Sequence, residues 1–288
     1  MSMDTAIRLH NVTKNYESFT LDHITMDIPK GCIVGLVGEN GAGKTTLLKA
    51  ILDMIHLDEG QISLDGVPVS RLSYDWKKEV GVILSGLDFA ASMNAREIGN
   101  IMAGTYENWQ QNVYEAYLQR FKIEPGKTVQ KYSKGMKMKL NIAVALSHQA
   151  KLLIFDEATS GLDPIVRDDI LDLLLEFIQD EEHTAIISSH IVTDLEKVAD
   201  YIAFLHEGKL KFYMNKDEIL YHYGVVRCSP QQYQKLPKEL VKGVRKGNFS
   251  YDVLISAKQK IHQSFPEIAI DNAGIEDVIL YLVKGERV

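Results

Sequence analysis

The sequence has few cysteines, no long apolar run and no excess of positive charge. Its two cysteines, Cys32 and Cys228, have no metal-ligand spacing and are too few for a disulfide framework. No apolar run reaches the roughly 18 residues that a membrane-spanning helix needs, and the opening MSMDTAIRLH lacks the pattern of a signal peptide. The formal net charge of -7 argues against nucleic acid as a partner. If the protein works at a membrane, we therefore expect it to be a peripheral subunit.

Segments typical of strands and helices alternate along most of the 288 residues. The apolar runs CIVGLVG, KLLIFDE and TAIISSH are of the buried-strand kind. The segments AIRLHNV and LDHITMDI alternate apolar with polar residues, as half-buried strands do. This order predicts an α/β fold with a mostly parallel core sheet and an antiparallel β subdomain at the N-terminus.

Helical spacing and capping residues locate the main helices. The period is helical from about Asn94 to Phe121, and Ser133 and Asp163 are candidate N-caps, the second followed by Pro164. From about residue 215 the units become shorter and more polar. We therefore expect a small C-terminal accessory domain with α/β structure over residues 215–288.

The segment GENGAGKT fits the phosphate-loop pattern G-x-x-x-x-G-K-[ST] and follows a predicted strand. Glycines allow successive backbone N–H groups to point at phosphates, and the following helix N-terminus adds positive partial charge. Lys44 would reach the β- and γ-phosphates of a nucleotide, and the Thr45 hydroxyl would bind Mg²⁺. The predicted nucleotide-binding residues here are Gly38, Glu39, Asn40, Gly41, Ala42, Gly43, Lys44, Thr45 and Thr46.

A second apolar strand, LLIFDE, ends in two carboxylates. Beside a phosphate loop, Asp156 is suited to hold Mg²⁺, directly or through water. Glu157 is suited to act as the general base that polarises the attacking water.

The motifs GENGAGKTT, LLIFDE with ATSGLD, and IISSH, in that order, resemble the nucleotide-binding subunits of ATP-binding cassette (ABC) transporters over about residues 5 to 213. The segment YSKGM falls where that family has its LSGGQ signature, and its Ser133 and Gly135 match the pattern. The separation of 23 residues (156 − 133) between Ser133 and Asp156 is usual for the family. The resemblance implies a P-loop ABC ATPase fold in residues 1–214, with a helical subdomain at about 86–150, and a dimer that encloses two MgATP.

Further site residues follow from the resemblance. Tyr16 would stack on adenine, His190 would contact the γ-phosphate and take part in catalysis with Lys44 and Glu157, and Ser133 and Gly135 would contact the nucleotide of the opposite subunit.

Two positions depart from the family pattern. Ser85 stands where the family has a Mg²⁺-binding glutamine, so either a water bridges it to the metal or Asp88 replaces it. Lys134 replaces a glycine of the signature. It either strengthens the phosphate cap or points into solvent like Lys137 and Lys139.

The SKGM variant and the ending GIEDVILYLVKG are similar to a bacterial branch that serves exporters with a separate membrane subunit, some of them for peptide antibiotics. The resemblance implies an ATP-hydrolysing subunit, peripheral on the cytoplasmic face of the membrane, that pairs with a second copy or a paralogous subunit and with an integral membrane permease. We expect the segment from Phe89 to Phe121 to receive the permease through its aromatic residues.

The alternative is a soluble ABC-type ATPase with a regulatory, nucleic-acid or ribosome-associated role. Lys44 and Ser133 are 89 residues apart (133 − 44), which leaves no room for the long insertion of repair-type members, and the chain carries one cassette. An inactive regulatory module would be expected to lack Lys44 or Glu157, and both are present.

Overall fold

Three sheets organise the residues that the computed structural model describes, which are 4–84, 86, 88–157, 159–247 and 250–284. The strands are β1 (Thr5–Tyr16), β2 (Phe19–Pro29), β3 (Ile33–Val37), β4 (Glu59–Leu64), β5 (Val67–Pro68), β6 (Val80–Ile83), β7 (Leu152–Asp156), β8 (Thr184–Ser189), β9 (Tyr201–His206), β10 (Lys209–Asn215), β11 (Gly224–Cys228), β12 (Val241–Lys246), β13 (Tyr251–Ile255) and β14 (Ile270–Asn272). The α-helices are α1 (Lys44–Ile51), α2 (Ala95–Thr105), α3 (Gln111–Arg120), α4 (Lys134–Leu146), α5 (Pro164–Phe177), α6 (Val192–Val198), α7 (Lys216–His222), α8 (Pro230–Tyr233), α9 (Lys258–Ser264) and α10 (Ile275–Lys284).

The central sheet has the strand order β10-β9-β3-β8-β7-β6. Its strands are parallel except β10, which pairs with β9 in the antiparallel sense. Every residue of β3, β7 and β8 is buried, as expected for strands covered on both faces. The predicted mostly parallel core sheet is therefore confirmed.

An antiparallel sheet with the order β2-β1-β4-β5 lies at the N-terminal end of the chain. The predicted strands AIRLHNV and LDHITMDI fall within β1 and β2, which pair directly. Buried residues of β2, such as Leu21, Ile24 and Ile28, share a core cluster with Leu36 of β3. The face that these residues form attaches this sheet to the central one.

The helices α2, α3 and α4 lie between β6 and β7 in the chain. The segment predicted to have helical period, from about Asn94 to Phe121, contains two helices, because the first ends at Thr105 and the second begins at Gln111. Tyr106 has extended backbone angles and ends α2. Ser133 caps α4, as predicted, and accepts a hydrogen bond of 3.2 Å from the Met136 N–H.

The remaining described residues, 216–247 and 250–284, form what we call the C-terminal unit. Its sheet has the order β12-β13-β11-β14 and its own buried cluster, which includes Val226 and Val253. The strand β12 was not predicted, because its sequence VKGVRK contains only two aliphatic residues, too few for a clear alternation of apolar and polar residues. A domain boundary near residue 215 stays a prediction, although Asn215 does cap α7.

Within the described ranges, no helix combines the length and the apolar character that crossing a membrane requires.

Candidate active site

The loop between β3 and α1 depends on glycine at three positions. Gly41 and Gly43 have φ angles of +82° and +105°, which residues with a side chain rarely adopt. A Cβ on Gly38 would lie 2.4 Å from the Leu205 carbonyl oxygen. The loop therefore needs glycine at these positions in order to adopt its backbone path.

The Lys44 ammonium lies at the centre of this loop. The side chain is 5% exposed, and its Nζ donates to the carbonyl oxygens of Gly38, at 2.7 Å, and Glu39, at 3.2 Å. The same Nζ lies 3.2 Å from Glu157 Oε1. A buried cation is thus held between the loop and the end of β7.

Asp156 connects three elements at the carboxyl end of the sheet. The Thr45 hydroxyl donates to Asp156 Oδ2 at 2.7 Å, and the Ser188 hydroxyl donates to Oδ1 at 2.6 Å. Ser188 was not among the predicted site residues. Its position could have been predicted, because parallel neighbouring strands end at the same edge of a sheet. The pairing of β7 with β8 places Ser188 opposite Asp156.

Glu157 and His190 form the second pair at this edge. His190 Nδ1 lies 2.9 Å from Glu157 Oε2, so the carboxylate contacts His190 with one oxygen and Lys44 with the other. The Glu157 backbone has a φ of +53°, and its N–H lies 3.0 Å from the Ser188 hydroxyl oxygen. Such a conformation costs about 1 kcal/mol or more, and it is often found at functional sites.

Tyr16 lies at the end of β1 and is 46% exposed. Its ring centroid is 6.5 Å from that of Phe19, and a Cβ added to Gly43 would lie 2.8 Å from Phe19 Cζ. Tyr16 therefore presents an exposed aromatic ring on the side of the protein where the glycine-rich loop begins its helix.

The segment around Ser133 contacts the loop that follows β7. Lys134 Nζ donates to the Ser160 carbonyl oxygen at 2.7 Å. Neither of the two predictions for Lys134, a contact with phosphate or exposure to solvent, included this hydrogen bond. A Cβ on Gly135 would lie 3.1 Å from Val166 Cγ1, so the start of α4 packs closely on α5.

The two lysines farther along α4 have acidic partners. Lys137 lies 3.3 Å from Asp88, and Lys139 lies 2.7 Å from Asp169. The expectation that Lys139 points into solvent is wrong, since its side chain is only 15% exposed.

Ser85, predicted to bind a metal ion, lies outside the described residues. Among the described residues, no group of three or more histidine, cysteine, aspartate or glutamate side chains could hold a metal ion.

A groove of about 420 Å³ lies beside the edge strand β6. It is lined mainly by apolar and aromatic side chains, which include Met54, Val82, Leu84, Phe89, Tyr106 and Val144, and also by His148. The Tyr106 and His148 rings stack at 4.1 Å, and burial lowers the pKa of His148 below its usual value of 6.5.

The other aromatic residues predicted for a docking surface lie elsewhere. Tyr114 is 1% exposed and its hydroxyl donates to the Ala95 carbonyl oxygen, so the prediction is wrong for this residue. Trp109 and Tyr117 are partly buried and pack against the same core.

Comparisons with known proteins agree with this geometry. The family model described as ABC transporter matches residues 21–160. The bacitracin transport ATP-binding protein BcrA of Bacillus licheniformis is 36% identical over 211 residues, which are 72% of this chain and 69% of that protein. The lantibiotic transport ATP-binding protein SrtF of Streptococcus pyogenes is 32% identical over 212 residues, which are 71% of this chain and 88% of that protein.

Two solved structures share the fold. An ATP-binding subunit of an ABC transporter superposes with a TM-score of 0.67 at 25% identity, covering 75% of this chain and 92% of that chain. A dimeric ATP-binding cassette with ADP and phosphate, in a post-hydrolysis state, superposes with a TM-score of 0.65 at 20% identity, covering 73% of this chain and 98% of that chain.

Proposed function

The chain belongs to the ABC transporter family and is an ATP-binding ATPase, and on that premise we propose that it drives an exporter of peptide antibiotics or similar amphipathic peptides. The relatives named for bacitracin and lantibiotic transport support this cargo class. The observation that carries the catalytic part is the placement of Glu157 between Lys44 and His190.

The phosphate loop and Lys44 would bind the nucleotide phosphates. The positive φ angles of Gly41 and Gly43 would allow backbone N–H groups of the loop to point at phosphates, and α1 would add the positive end of its dipole. The buried Lys44 ammonium would exchange its carbonyl contacts for phosphate oxygens, which are stronger partners because they are charged.

The residues fit a Mg²⁺ site, which Thr45 and Asp156 would form. A hydroxyl and a carboxylate oxygen 2.7 Å apart are hard oxygen ligands, and Ser188 fixes the orientation of the carboxylate. Mg²⁺ commonly binds through one or two protein groups together with phosphates and water, so a larger cluster is not needed. The bound ion would neutralise charge on the phosphates. A contribution from Ser85 stays a prediction.

Glu157 would act as the general base. Its carboxylate is held by His190 and Lys44, so it is preoriented to accept a proton from the attacking water. His190 would also contact the γ-phosphate. Its side chain is 45% exposed and its ring can therefore reach a ligand.

Tyr16 would stack on the adenine ring, which its exposure permits. Ser133 and Gly135, at the N-terminus of α4, would contact the γ-phosphate of the opposite subunit in an ATP-bound dimer. The second subunit would be another copy of this chain or a paralogous ATPase subunit.

The groove beside β6 would receive an apolar segment of a separate integral membrane permease. Val82 is 38% exposed in the middle of β6 and Met54 is 54% exposed, so two apolar side chains reach solvent at the groove. This partner would hold the chain at the cytoplasmic face of the membrane. Phe89 and Tyr106 remain candidates for the contact.

The test is Glu157→Gln, because the amide keeps the shape of the side chain and removes the base. We expect MgATP hydrolysis to fall about 10²- to 10⁴-fold, while the variant accumulates as an ATP-bound dimer in size-exclusion chromatography. The control is Glu181→Gln, the same chemical change at an exposed position. Hydrolysis by Glu157→Gln at the wild-type rate would exclude Glu157 as the base.

A further inference from the structure

Helix α6 begins two residues after His190 and is held from one side by α5. Lys197 forms ion pairs with Asp168 and Asp172, and the Arg167 guanidinium lies 3.8 Å from Asp194. This side of α6 is therefore attached to the helix that follows the catalytic carboxylates.

The C-terminal unit holds α6 from the other side through Glu196. The Ile275 N–H, at the start of α10, donates to Glu196 Oε1 at 3.0 Å. Lys216 Nζ, at the start of α7, donates to the Glu196 carbonyl oxygen at 2.9 Å. A carboxylate at a helix N-terminus satisfies a free N–H group and is stabilised by the helix dipole.

Apolar packing reinforces this attachment. Ile275, Val278 and Tyr281 of α10 lie in the same buried cluster as Leu195 and Val198 of α6. A shared core of this kind transmits displacements, because packed side chains leave little free volume. The C-terminal unit thus contacts α6 with a charged group and with buried side chains.

His190 lies in the segment that joins β8 to this helix. The His190 side chain is 45% exposed, so packing fixes its ring only in part. Its distance of 2.9 Å to Glu157 therefore depends on where the backbone between β8 and α6 lies. Glu196 follows His190 by six positions (196 − 190), and α6 has only seven residues, about two turns.

We propose that the C-terminal unit positions His190 through α6, with Glu196 as the positioning residue. This inference rests on the proposed catalytic role of His190. It gives the C-terminal unit a part in ATP hydrolysis, although the unit supplies none of the proposed catalytic residues.

The test compares Glu196→Ala with Glu196→Gln. The alanine variant removes the acceptor of the Ile275 N–H, and we expect kcat to fall about 2- to 10-fold, as for one hydrogen bond felt in the transition state. The KM for MgATP should change less than kcat, because Lys44 and Thr45, which would bind the phosphates and Mg²⁺, lie on α1 and not on α6. The glutamine variant should restore most of kcat, since its amide oxygen still accepts the hydrogen bond. Lys216→Met removes the hydrogen bond to the Glu196 carbonyl oxygen and should also lower kcat.

A double-mutant cycle separates this role from general destabilisation. In a His190→Ala background, Glu196→Ala should change the residual single-turnover rate by less than about 2-fold, because the histidine through which it acts is gone. Thr193→Ala is the matched control, an exposed residue of the same helix nearer to His190. An equal loss in both backgrounds, or an unchanged kcat in Glu196→Ala, would refute the proposal.

Hydrogen exchange provides a readout that needs no hydrolysis. Amides of residues 190–198 should exchange faster in Glu196→Ala than in Glu196→Gln, and unchanged exchange would also refute the proposal. If the wild-type protein does not hydrolyse MgATP, the proposed function fails, whereas the exchange experiment still tests the attachment of α6.

Discussion

Replacement of Ser133 tests whether the start of α4 binds phosphate or only caps a helix. The Ser133 side chain accepts a hydrogen bond from the Met136 N–H, so it has a local structural role in addition to the proposed contact with ATP. Ser133→Ala removes both. The cap alone is worth about 1 kcal/mol of unfolding free energy, so a loss of stability by itself would not demonstrate phosphate binding.

The two roles predict different magnitudes. A charge-assisted hydrogen bond contributes roughly 1.5 to 3 kcal/mol, which corresponds to about 10- to 150-fold in the dimer dissociation constant for each site. Ser133→Asp keeps an oxygen that can cap α4 but places a negative charge near the phosphate. Ser133→Thr keeps both the cap and a hydroxyl donor.

The assay is ATP-driven dimerisation in the Glu157→Gln background, with urea unfolding of each monomer as the measure of stability. We expect Ser133→Ala and Ser133→Asp to weaken the dimer strongly and Ser133→Thr to change it little. Only Ser133→Ala should lower the unfolding free energy appreciably. Wild-type dimerisation of Ser133→Ala would refute the assignment of Ser133 to the signature.

Three further predictions address other parts of the protein. Lys134→Ala removes the hydrogen bond to Ser160, and we expect dimerisation to weaken less than about 10-fold; a loss as large as that of Ser133→Ala would instead mean that Lys134 contacts phosphate. Burial lowers the pKa of His148, so the unfolded state binds more protons than the folded state below pH 6.5. The free energy of unfolding therefore falls as the pH decreases in that range. Urea unfolding of His148→Gln should show a weaker pH dependence, and a pH dependence equal to that of the wild type would contradict the reasoning. A cysteine at Val82 should crosslink to a co-purified membrane subunit, whereas one at Val67, which is 43% exposed outside the groove, should not; the reverse pattern would move the docking surface.

The positions of Asp156 and Glu157 could be predicted because local sequence determines them. An apolar strand such as β7 can only run through the core, and the residues that follow it must emerge at the edge of the sheet. Because β3, β8 and β7 are parallel neighbours, Asp156 and Glu157 must lie at the same edge of the sheet as the end of β3. The glycine-rich loop begins at that end of β3. The same reasoning could have found Ser188, since parallel neighbours end at the same edge.

The C-terminal unit was less predictable because its strands carry weaker signals. The strand β12 is recognisable as a strand mainly through its pairing with β13, which depends on residues about ten positions away. The attachment of Glu196 to α10 joins residues 79 positions apart, and no local pattern marks a carboxylate for that role.

The lysines of KYSKGMKMKL show why composition alone misjudges this segment. As a run of charge they are typical of a solvated helix face, yet Lys134, Lys137 and Lys139 contact Ser160, Asp88 and Asp169, which lie 26, 49 and 30 positions away. These partners come from the loop after β7, from the segment after β6 and from α5. The lysines therefore attach α4 to three neighbouring segments, whereas a basic surface for nucleic acid would require the same charges to be available to a ligand.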